Sequence, residues 1–526
     1  MRWKDTLWYD ILNLLHLNNI MLSSQESLAH KFVNKWFWLY IFTFLIGPLG
    51  YFIKVIISRD LSVEEVGMLY GVISFVTLLS MYNDLWCTES LAYFLPRHIV
   101  KNEYGKAKYL LHFVFRIQLL SSLFIYALIF FWSAWLSLHY FKSDVSEILR
   151  IGWLFFIGVN ILHITTIFFT SVQDTKLQKW TELIRLLGTA TGSSILFFGD
   201  FGNLERYMLV WIWWLCIGIV FSSLFFIKKY YIPFFGHIKK EFDAKIRTQF
   251  FKYAWATFLT ANIGTLLSQI DMQMIIYMLW SKDVGFYSTY LSLIGIPFII
   301  LTPIIGFLFP VIAELSGRNE ENKIQALISR FWMYFGIIGI WTGIFLFQFS
   351  EILSVLFFGE KFREAWEILT YSAPFIVLNF LIQISFQVLA GMGKIKERAQ
   401  ILAIVLIINI ILNMILIPLL WTKWSALAVW ISWIPLYYLS LRATWLKLQI
   451  FGDRQWYINI LSWIIAYGTM YLIYTYIKGF NNFTYLTLAI LLYMTIFMLT
   501  NRIMLHEAYE TIRNVRKTKP STSLPL

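Results

Sequence analysis

Charged residues are scarce in this chain of 526 residues, where Asp, Glu, Lys and Arg together make up 14% against about 25% in soluble domains. Hydrophobic residues reach 59%, and Phe, Trp and Tyr alone reach 19%. A soluble protein of this size could not hide so much apolar side chain, because its surface must be wetted. The composition therefore excludes a soluble protein and predicts an all-α protein that crosses a membrane many times.

Cysteine is almost absent, since Cys87 and Cys216 are the two in the sequence. Both lie in apolar stretches, so neither a disulfide scaffold nor a thiolate metal site is expected. The loops also lack an Asp-x-Asp pattern, and none is large enough to hold a bulky donor substrate. We therefore expect no catalytic residues, no metal and no enzymatic activity.

Basic residues are in excess, 43 against 30 acidic ones, but they lie in short loops between apolar runs rather than in a nucleic-acid-binding patch. Runs of about 20 apolar residues are long enough to cross a bilayer. They predict about 14 transmembrane helices. With the N-terminus inside, cytoplasmic segments hold 31 Lys and Arg and external segments hold 9, as the positive-inside bias requires. We expect a multi-pass cell-membrane protein with both termini cytoplasmic.

Two parts of the chain look like copies of each other. Residues 65–67 open the second predicted span and residues 283–285 open the eighth with nearly the same sequence, at an offset of 218. Residues 210–214 and 429–433 match at an offset of 219. Six helices per copy give both copies the same orientation, which is the parallel-repeat arrangement of two-lobed transporters. Such transporters bind substrate between the lobes and work by rocking one lobe against the other.

The sequence therefore divides into six predicted parts. They are a cytoplasmic interfacial segment (1–35), an N-terminal six-helix lobe (36–227), a basic cytoplasmic linker (228–252), a C-terminal six-helix lobe (253–441), two additional transmembrane helices (442–504) and a basic cytoplasmic tail (505–526).

A series of short motifs, in order along the chain, carries a family resemblance. They are Leu61-Ser62-Val63-Glu64-Glu65-Val66-Gly67, Asp271, Asp283-Val284-Gly285-Phe286-Tyr287, Phe309-Pro310, Phe357-Phe358-Gly359, Leu389-Ala390-Gly391-Met392-Gly393-Lys394, and Asn409 with Asn413. In this series the chain resembles the polysaccharide transporters of the multidrug/oligosaccharidyl-lipid/polysaccharide exporter superfamily, that is, the Wzx-type lipid-linked oligosaccharide flippases. Fourteen spans exceed the usual twelve of that branch, although fourteen also occurs in peptidoglycan-precursor flippases of the superfamily.

The resemblance implies a V of two pseudo-symmetric six-helix bundles whose first and seventh helices line a central cavity. It also implies a cargo, a polyprenyl-diphosphate-linked oligosaccharide moved from the cytoplasmic to the outer leaflet by alternating access during cell-surface polysaccharide biosynthesis. Membrane lipids, glycosyltransferases and a polysaccharide polymerase are the implied partners. An ion-coupled multidrug exporter of the same superfamily is the alternative function.

Ionisable residues within spans are costly and are therefore functional candidates. Arg116 is a candidate for binding a diphosphate, with snorkelling to the interface as the alternative. Arg185 is another, although Glu182 lies one helical turn away and a local pair is the simpler interpretation.

Lys54 and Asp271 fall at nearly equal depth on the two cavity-lining helices once the repeat offset is applied. We predict that they approach or pair when the outward side is closed and separate when it opens. The alternative is that each snorkels to the outer interface on its own.

Five amides form a further group of candidates. They could bind sugar hydroxyls or bond one helix to another, and the sequence leaves both interpretations open. They are Gln269, Gln273, Asn379, Gln383 and Gln387.

A coupling proton or sodium ion is the one non-protein group that we expect besides the cargo. Asp84, Glu89 and His163 are the candidates for binding it. Pairing with Arg97 or Lys101 is the alternative for Glu89, and a hydrogen-bonded packing role is the alternative for His163.

Overall fold

The computed structural model describes residues 26–83, 87–172, 174–420, 422–444, 454–476 and 482–502, and throughout these ranges the ordered elements are helical. The α-helices are α1 (Glu26–Asp60), α2 (Val63–Asn83), α3 (Cys87–Val100), α4 (Tyr104–Trp135), α5 (Ser146–Ser171), α6 (Thr175–Phe198), α7 (Leu204–Phe226), α8 (Ala244–Met278), α9 (Ser281–Gly317), α10 (Glu321–Phe358), α11 (Ala365–Ser372), α12 (Ile376–Gly391), α13 (Ile395–Leu420), α14 (Thr422–Thr444), α15 (Arg454–Tyr476) and α16 (Asn482–Thr500).

Long apolar runs form helices because the hydrocarbon core offers no partner for a backbone N–H or C=O, and a helix bonds both internally. In the described ranges, nine segments are long and apolar enough to cross a membrane, and a tenth qualifies if the bent helix α9 counts as one span. The prediction of an all-helical, multi-pass membrane protein is confirmed, and the count of fourteen stays a prediction. Residues 1–25 of the predicted interfacial segment and the whole tail 505–526 lie outside the described residues.

Side chains at several helix starts bind the free N–H groups of the first turn. Asn203 Oδ1 accepts from the backbone N–H of Arg206 (2.8 Å) at the start of α7. Asp243 Oδ1 accepts from Lys245 (2.8 Å) at the start of α8. Such caps typically stabilise a helix by about 1 kcal/mol, and they fix where each span begins.

The helices form two lobes that follow the predicted repeat. In the first lobe, α1 packs on α6, and α5 packs on both α4 and α7. In the second lobe, α13 packs on α8 and α14, and α12 packs on α9 and α10. The main packing between the lobes joins α2 to α9 and joins α2 and α3 to α8. The substrate path of a two-lobed transporter would run beside these helices.

Helix α9 is bent by 58° between its segments Ser281–Ile299 and Ile304–Gly317. Proline removes a backbone donor and its ring collides with the preceding turn, so a kink is expected at such a residue. Pro297 and Pro303 lie at this bend. The bend separates the half of α9 that packs on the first lobe from the half that runs on through its own lobe.

The last two helices dock on α10 through polar side chains. Trp341 Nε1 donates to Asn459 Oδ1 (3.0 Å), and Asn459 and Asn501 exchange two amide hydrogen bonds (2.9 Å each). The hydroxyl of Tyr493 donates to Gln348 Oε1 on α10. Small and polar contacts of this kind hold membrane helices together, because lipid gives no hydrophobic drive for association. The pair α15–α16 is therefore fixed to the second lobe.

Candidate functional site

The lobes cross where α2 and α9 begin, and the crossing point is a pair of equivalent glycines. Gly67 and Gly285 are related by the repeat offset of 218. A Cβ on Gly67 would lie 2.8 Å from the backbone nitrogen of Gly285 and would collide with the carbonyl oxygen of Ser281. A Cβ on Gly285 would collide with the carbonyl oxygen of Val63. Backbone meets backbone here, so this crossing requires glycine on both sides.

The same helix starts carry equivalent acidic caps. Ser62 and Glu65 form a reciprocal capping box on α2, in which Glu65 Oε2 accepts from the backbone N–H of Ser62 (2.8 Å) and Ser62 Oγ accepts from the N–H of Glu65 (3.2 Å). On α9, Asp283 Oδ2 accepts from the backbone N–H of Trp280 (3.3 Å). Trp280 and Asp283 are the residues that the repeat offset assigns to Ser62 and Glu65. The internal duplication predicted from the sequence therefore recurs as matching local structure.

Loops from each lobe reach over the start of the other lobe's helix pair. Lys361 Nζ donates to the carbonyl oxygens of Arg59 (3.0 Å) and Leu61. The hydroxyls of Ser143 and Ser281 form the reverse contact, from the first lobe to the second. Ser143 and Lys361 are again 218 residues apart. We call residues 59–67, 140–144, 277–285 and 356–363 the closed face, since the two lobes are joined there.

Two of the predicted amides lie deeper in the same seam. Gln273 Nε2 donates to Ser74 Oγ on α2 (2.8 Å), and Ser74 Oγ donates to Gln269 Oε1 (2.7 Å). The hydroxyl of Tyr140 donates to Gln273 Oε1 (2.8 Å). In this conformation Gln269 and Gln273 therefore bond one lobe to the other, which is the helix-bonding interpretation that the sequence left open.

Lys54 also lies in the seam. Its Nζ donates to the carbonyl oxygen of Ser288 on α9 (2.5 Å) and lies 4.1 Å from the ring centroid of Tyr70 on α2. A carbonyl and an aromatic face are both suitable partners for a buried ammonium group. Lys54 thus links α1 and α2 of the first lobe to α9 of the second.

Asp271 is buried inside the second lobe with two amides of α13. Asn413 Nδ2 donates to its Oδ1 at 2.6 Å, and Asn409 Nδ2 donates to the same oxygen at 3.0 Å. Asp271 is 4% exposed, and both asparagines are fully buried. Asn413 Oδ1 is buried without a hydrogen-bond partner. The cluster therefore presents a carboxylate and a free amide oxygen in a part of the membrane where charge is costly.

The predicted pairing of Lys54 with Asp271 is not what the structure shows. Although the closed face is shut, Lys54 bonds across the seam and Asp271 bonds within its own lobe, and no ion pair joins these two described side chains. Equal depth on equivalent helices does not bring side chains together when those helices turn different faces to the seam. The offset gave the height of each residue and gave no information on its direction.

The remaining amides form a half-buried stripe. Asn379, Gln383 and Gln387 are partly exposed on α12, while most of its other side chains are buried, and Gln383 Nε2 approaches Asn379 Oδ1 (3.4 Å). On α8, Ser268 is exposed in mid-span, and a Cβ on Gly264 would meet nothing within 4 Å. Side chains of α8 and α12 contribute to one apolar cluster, so these polar groups flank the same part of the second lobe. They are the best candidates for the polar lining of a water-filled cavity.

The basic candidates occupy different settings. Arg116 is exposed on the face of α4 that also exposes Leu120 and Phe124, each 66% accessible, and an apolar outer face favours snorkelling. The expected local pair of Arg185 is not a direct bond: Glu182 bonds Lys179 (2.8 Å) and acts on Arg185 only through its charge. Its Nε is buried without a hydrogen-bond partner, so Arg185 keeps its capacity to bind an anion.

The predicted ion-coupling residues are only partly described. Asp84 and the side chain of Glu89 lie outside the described residues. His163 is exposed on α5. Within the described ranges, no group of three or more His, Cys, Asp and Glu side chains is placed to hold a metal ion.

The family model for a polysaccharide biosynthesis protein matches residues 32–316, which is more than half of the chain. The chain belongs to this family. The matched region runs from α1 to α9 and includes Lys54, Asp271 and both glycines of the crossing. The family resemblance predicted from the motifs is therefore confirmed.

Two archaeal proteins are also similar in sequence. An uncharacterized membrane protein of Methanocaldococcus jannaschii is 21% identical over 412 residues, which are 74% of this chain and 80% of the relative. A probable low-salt glycan biosynthesis flippase of Haloferax volcanii is 28% identical over 172 residues, which are 32% of this chain and 35% of the relative.

Solved structures give the fold. The chain is similar to a lipid II flippase, MurJ, in an inward closed conformation, with a TM-score of 0.68 and 16% identity over 89% of this chain and 99% of that one. It is also similar to an inward-facing MATE transporter of the MOP superfamily, with a TM-score of 0.63 and 11% identity over 82% and 97%. The predicted two-lobed fold is therefore confirmed. Since the family and these neighbours comprise transporters and flippases, the prediction of a membrane transporter rather than an enzyme is confirmed as well.

Proposed function

We propose that this protein flips a polyprenyl-diphosphate-linked oligosaccharide from the cytoplasmic to the outer leaflet of the cell membrane, for cell-surface polysaccharide biosynthesis. Glycosyltransferases would build the cargo before this step, and a polymerase would extend it afterwards. The observation that carries the proposal is the closed face, found in a member of a polysaccharide biosynthesis family: its lobes are joined at one membrane surface by contacts that can part.

A sugar diphosphate cannot cross hydrocarbon unaided, because burying charge without partners is prohibitively costly. The half-buried amides of α12 and the exposed Ser268 of α8, next to the open space at Gly264, offer polar groups in mid-span, where the sugar hydroxyls would need them. Arg185 has an unpaired Nε for the diphosphate. The lipid tail would remain in the bilayer throughout, and no covalent bond would change.

Alternating access follows from how the lobes are joined. The closed-face bonds are mostly hydrogen bonds to hydroxyls and backbone carbonyls, which water can replace when the lobes separate. Separation therefore leaves no stranded buried charge at these positions. The loops on the opposite surface hold most of the basic residues, so we assign the closed face to the outside and this conformation to an inward state.

The coupling ion would bind at Asp271 rather than at the sites expected from the sequence. The Asp271 carboxylate and the free Asn413 Oδ1 are hard oxygen ligands, which would coordinate a sodium ion, and the carboxylate would also bind a proton. Such an ion would neutralise a carboxylate that is otherwise expensive to bury. Asp271 lies on the helix that bonds to α2 through Gln269 and Gln273. Its charge state would therefore shift the equilibrium between joined and separated lobes.

Depletion of the protein in its host tests the proposal. We expect lipid-linked oligosaccharide to accumulate where only cytoplasmic enzymes reach it, together with a loss of surface glycan. Glycosidase accessibility in oriented membrane vesicles measures the leaflet. Normal surface glycan combined with sensitivity to cationic drugs would contradict the proposal and would instead favour the multidrug exporter.

A further inference from the structure

The segment that connects the two lobes combines positive charge with exposed apolar side chains. Between residues 227 and 255 it contains seven Lys or Arg residues and two acidic residues, Glu241 and Asp243. The α7 helix continues into it as a π-helical segment, Ile227–Phe235, before the chain reaches α8. It therefore starts and ends on helices that enter the membrane, so it lies at the boundary between lipid and water.

Most of these basic groups are available to a ligand. Six of them are exposed and form no ion pair with any carboxylate of the described residues, while Lys229 pairs with Asp174. Arg247 lies over the ring of Phe242, 5.3 Å from its centroid, which holds the guanidinium group at the surface without neutralising it. The six are Lys228, Lys239, Lys240, Lys245, Arg247 and Lys252.

Large apolar side chains are interleaved with the charges. Phe242 is 58% exposed and Trp255 is 62% exposed, and Ile232, Phe234 and Phe251 are exposed as well. A soluble acidic partner would satisfy the charges and leave these side chains in water. A bilayer surface satisfies both, because phosphate groups meet the cations while the apolar side chains enter the acyl boundary.

The segment is also held in a fixed shape. Lys108 on α4 is buried, and its Nζ donates to the carbonyl oxygen of Phe235 (2.6 Å), the last residue of this helical segment, and to that of Ile238 (2.8 Å) just beyond it. Farther along, the backbone N–H of Glu241 donates to the carbonyl oxygen of Gly105 (3.2 Å). These bonds tie the connection to the first lobe, so its cations form a defined surface rather than a loose loop.

A second set of bonds holds the start of the segment Ile227–Phe235. Lys229 Nζ and the Tyr230 hydroxyl both donate to Asp174 Oδ2 at 2.6 Å. Burial acts to raise the pKa of Asp174, but the hydrogen bonds from Lys229, Tyr230 and the Leu177 N–H, together with the charge of Lys229, outweigh it and hold the pKa below its usual value. The carboxylate therefore stays charged at neutral pH, and these bonds persist.

We propose that this connecting surface binds the headgroups of anionic phospholipids in the leaflet at that side of the membrane. The ligand class is a phosphodiester lipid that stays bound, as distinct from the lipid-linked glycan that is carried across. Lys239, Lys240, Lys245 and Arg247 bind the phosphates, while Phe242 anchors the surface in the acyl boundary.

Native mass spectrometry of the purified full-length chain tests this with phosphatidylglycerol and phosphatidylcholine as probes. We expect the wild-type protein to retain phosphatidylglycerol in preference to phosphatidylcholine. The variant Lys239→Gln/Lys240→Gln/Lys245→Gln/Arg247→Gln should lose at least about tenfold in apparent affinity for phosphatidylglycerol, since each cation near an anionic surface adds to the attraction. High salt should weaken wild-type binding.

The matched control removes four positive charges elsewhere on the same membrane surface. It is Lys101→Gln/Arg330→Gln/Lys396→Gln/Arg442→Gln, whose four cations are likewise exposed, and it should keep wild-type affinity. All eight positions are solvent-accessible, so both variants should fold, which thermal melting checks. Unchanged phosphatidylglycerol affinity in the first variant, or an equal loss in both, overturns the proposal. Because no glycan lipid is present, neither result bears on the flippase function.

Discussion

A disulfide between Ser143→Cys and Ser281→Cys is expected to abolish translocation. The two hydroxyls are in contact across the closed face, one on a loop of the first lobe and one at the start of α9 in the second. Their side chains are therefore near enough for a disulfide after a small adjustment. If the lobes must part here in every cycle, the fraction of activity lost should equal the fraction of protein cross-linked, and reductant should restore it.

The second lobe offers a matched control. Ser350 Oγ and Thr370 Oγ1 are 2.7 Å apart, so Ser350→Cys and Thr370→Cys present the same kind of hydroxyl contact within one rigid body. Oxidation of that pair should leave translocation intact. The native cysteines are Cys87, buried on α3, and Cys216 on α7. Replacing both with Ser removes competing thiols. Full translocation by completely cross-linked Ser143→Cys/Ser281→Cys protein would mean that the closed face need not open.

Replacement of Asp271 is expected to separate coupling from folding. Asp271→Ala removes the acceptor of two buried amides, so it should cost about 1–3 kcal/mol of stability and should abolish gradient-driven transport. Asp271→Asn keeps the shape and a hydrogen-bonding oxygen but carries no charge, so it should fold with a melting temperature close to that of the wild type. We expect its translocation rate to become independent of the applied gradient.

Translocation in vesicles under a sodium gradient, a proton gradient and no gradient measures the effect. The wild-type rate should rise at least about tenfold with one of the two gradients, in line with a coupling free energy of about 1–3 kcal/mol. The Asp271→Asn rate should be the same in all three conditions. A gradient response that survives in Asp271→Asn would remove Asp271 from the coupling mechanism.

The membrane helices and the repeat were predictable from sequence because each leaves a one-dimensional signal. Apolar runs mark spans, and an offset of 218 marks the duplication. That offset even assigns Gly67 to Gly285, although the sequence alone does not say that the two residues touch. Equivalent residues meet only when they lie on the pseudo-symmetry axis, and the position of that axis depends on how the lobes pack.

The site was harder to predict because a side chain's direction is a tertiary property. The sequence leaves open whether Gln269 and Gln273 bind sugar or bond one helix to another, and the structure shows that they bond the two lobes together. Asn409 and Asn413 belong to the motifs that carry the family resemblance, and the order of those motifs does not mark them as partners of Asp271. Two amides four residues apart in an apolar span share one helix face and require a polar partner. That spacing was the signal that could have identified the cluster.

The most direct measurement follows a fluorescent oligosaccharide on a polyprenyl diphosphate in vesicles containing only the purified protein. An impermeant glycosidase reports the fraction of headgroups in the outer leaflet over time. Our account predicts that headgroups sealed in the inner leaflet become accessible in vesicles with protein and stay protected in protein-free vesicles. Equal protection in both, with protein shown by melting to be folded, would contradict the account.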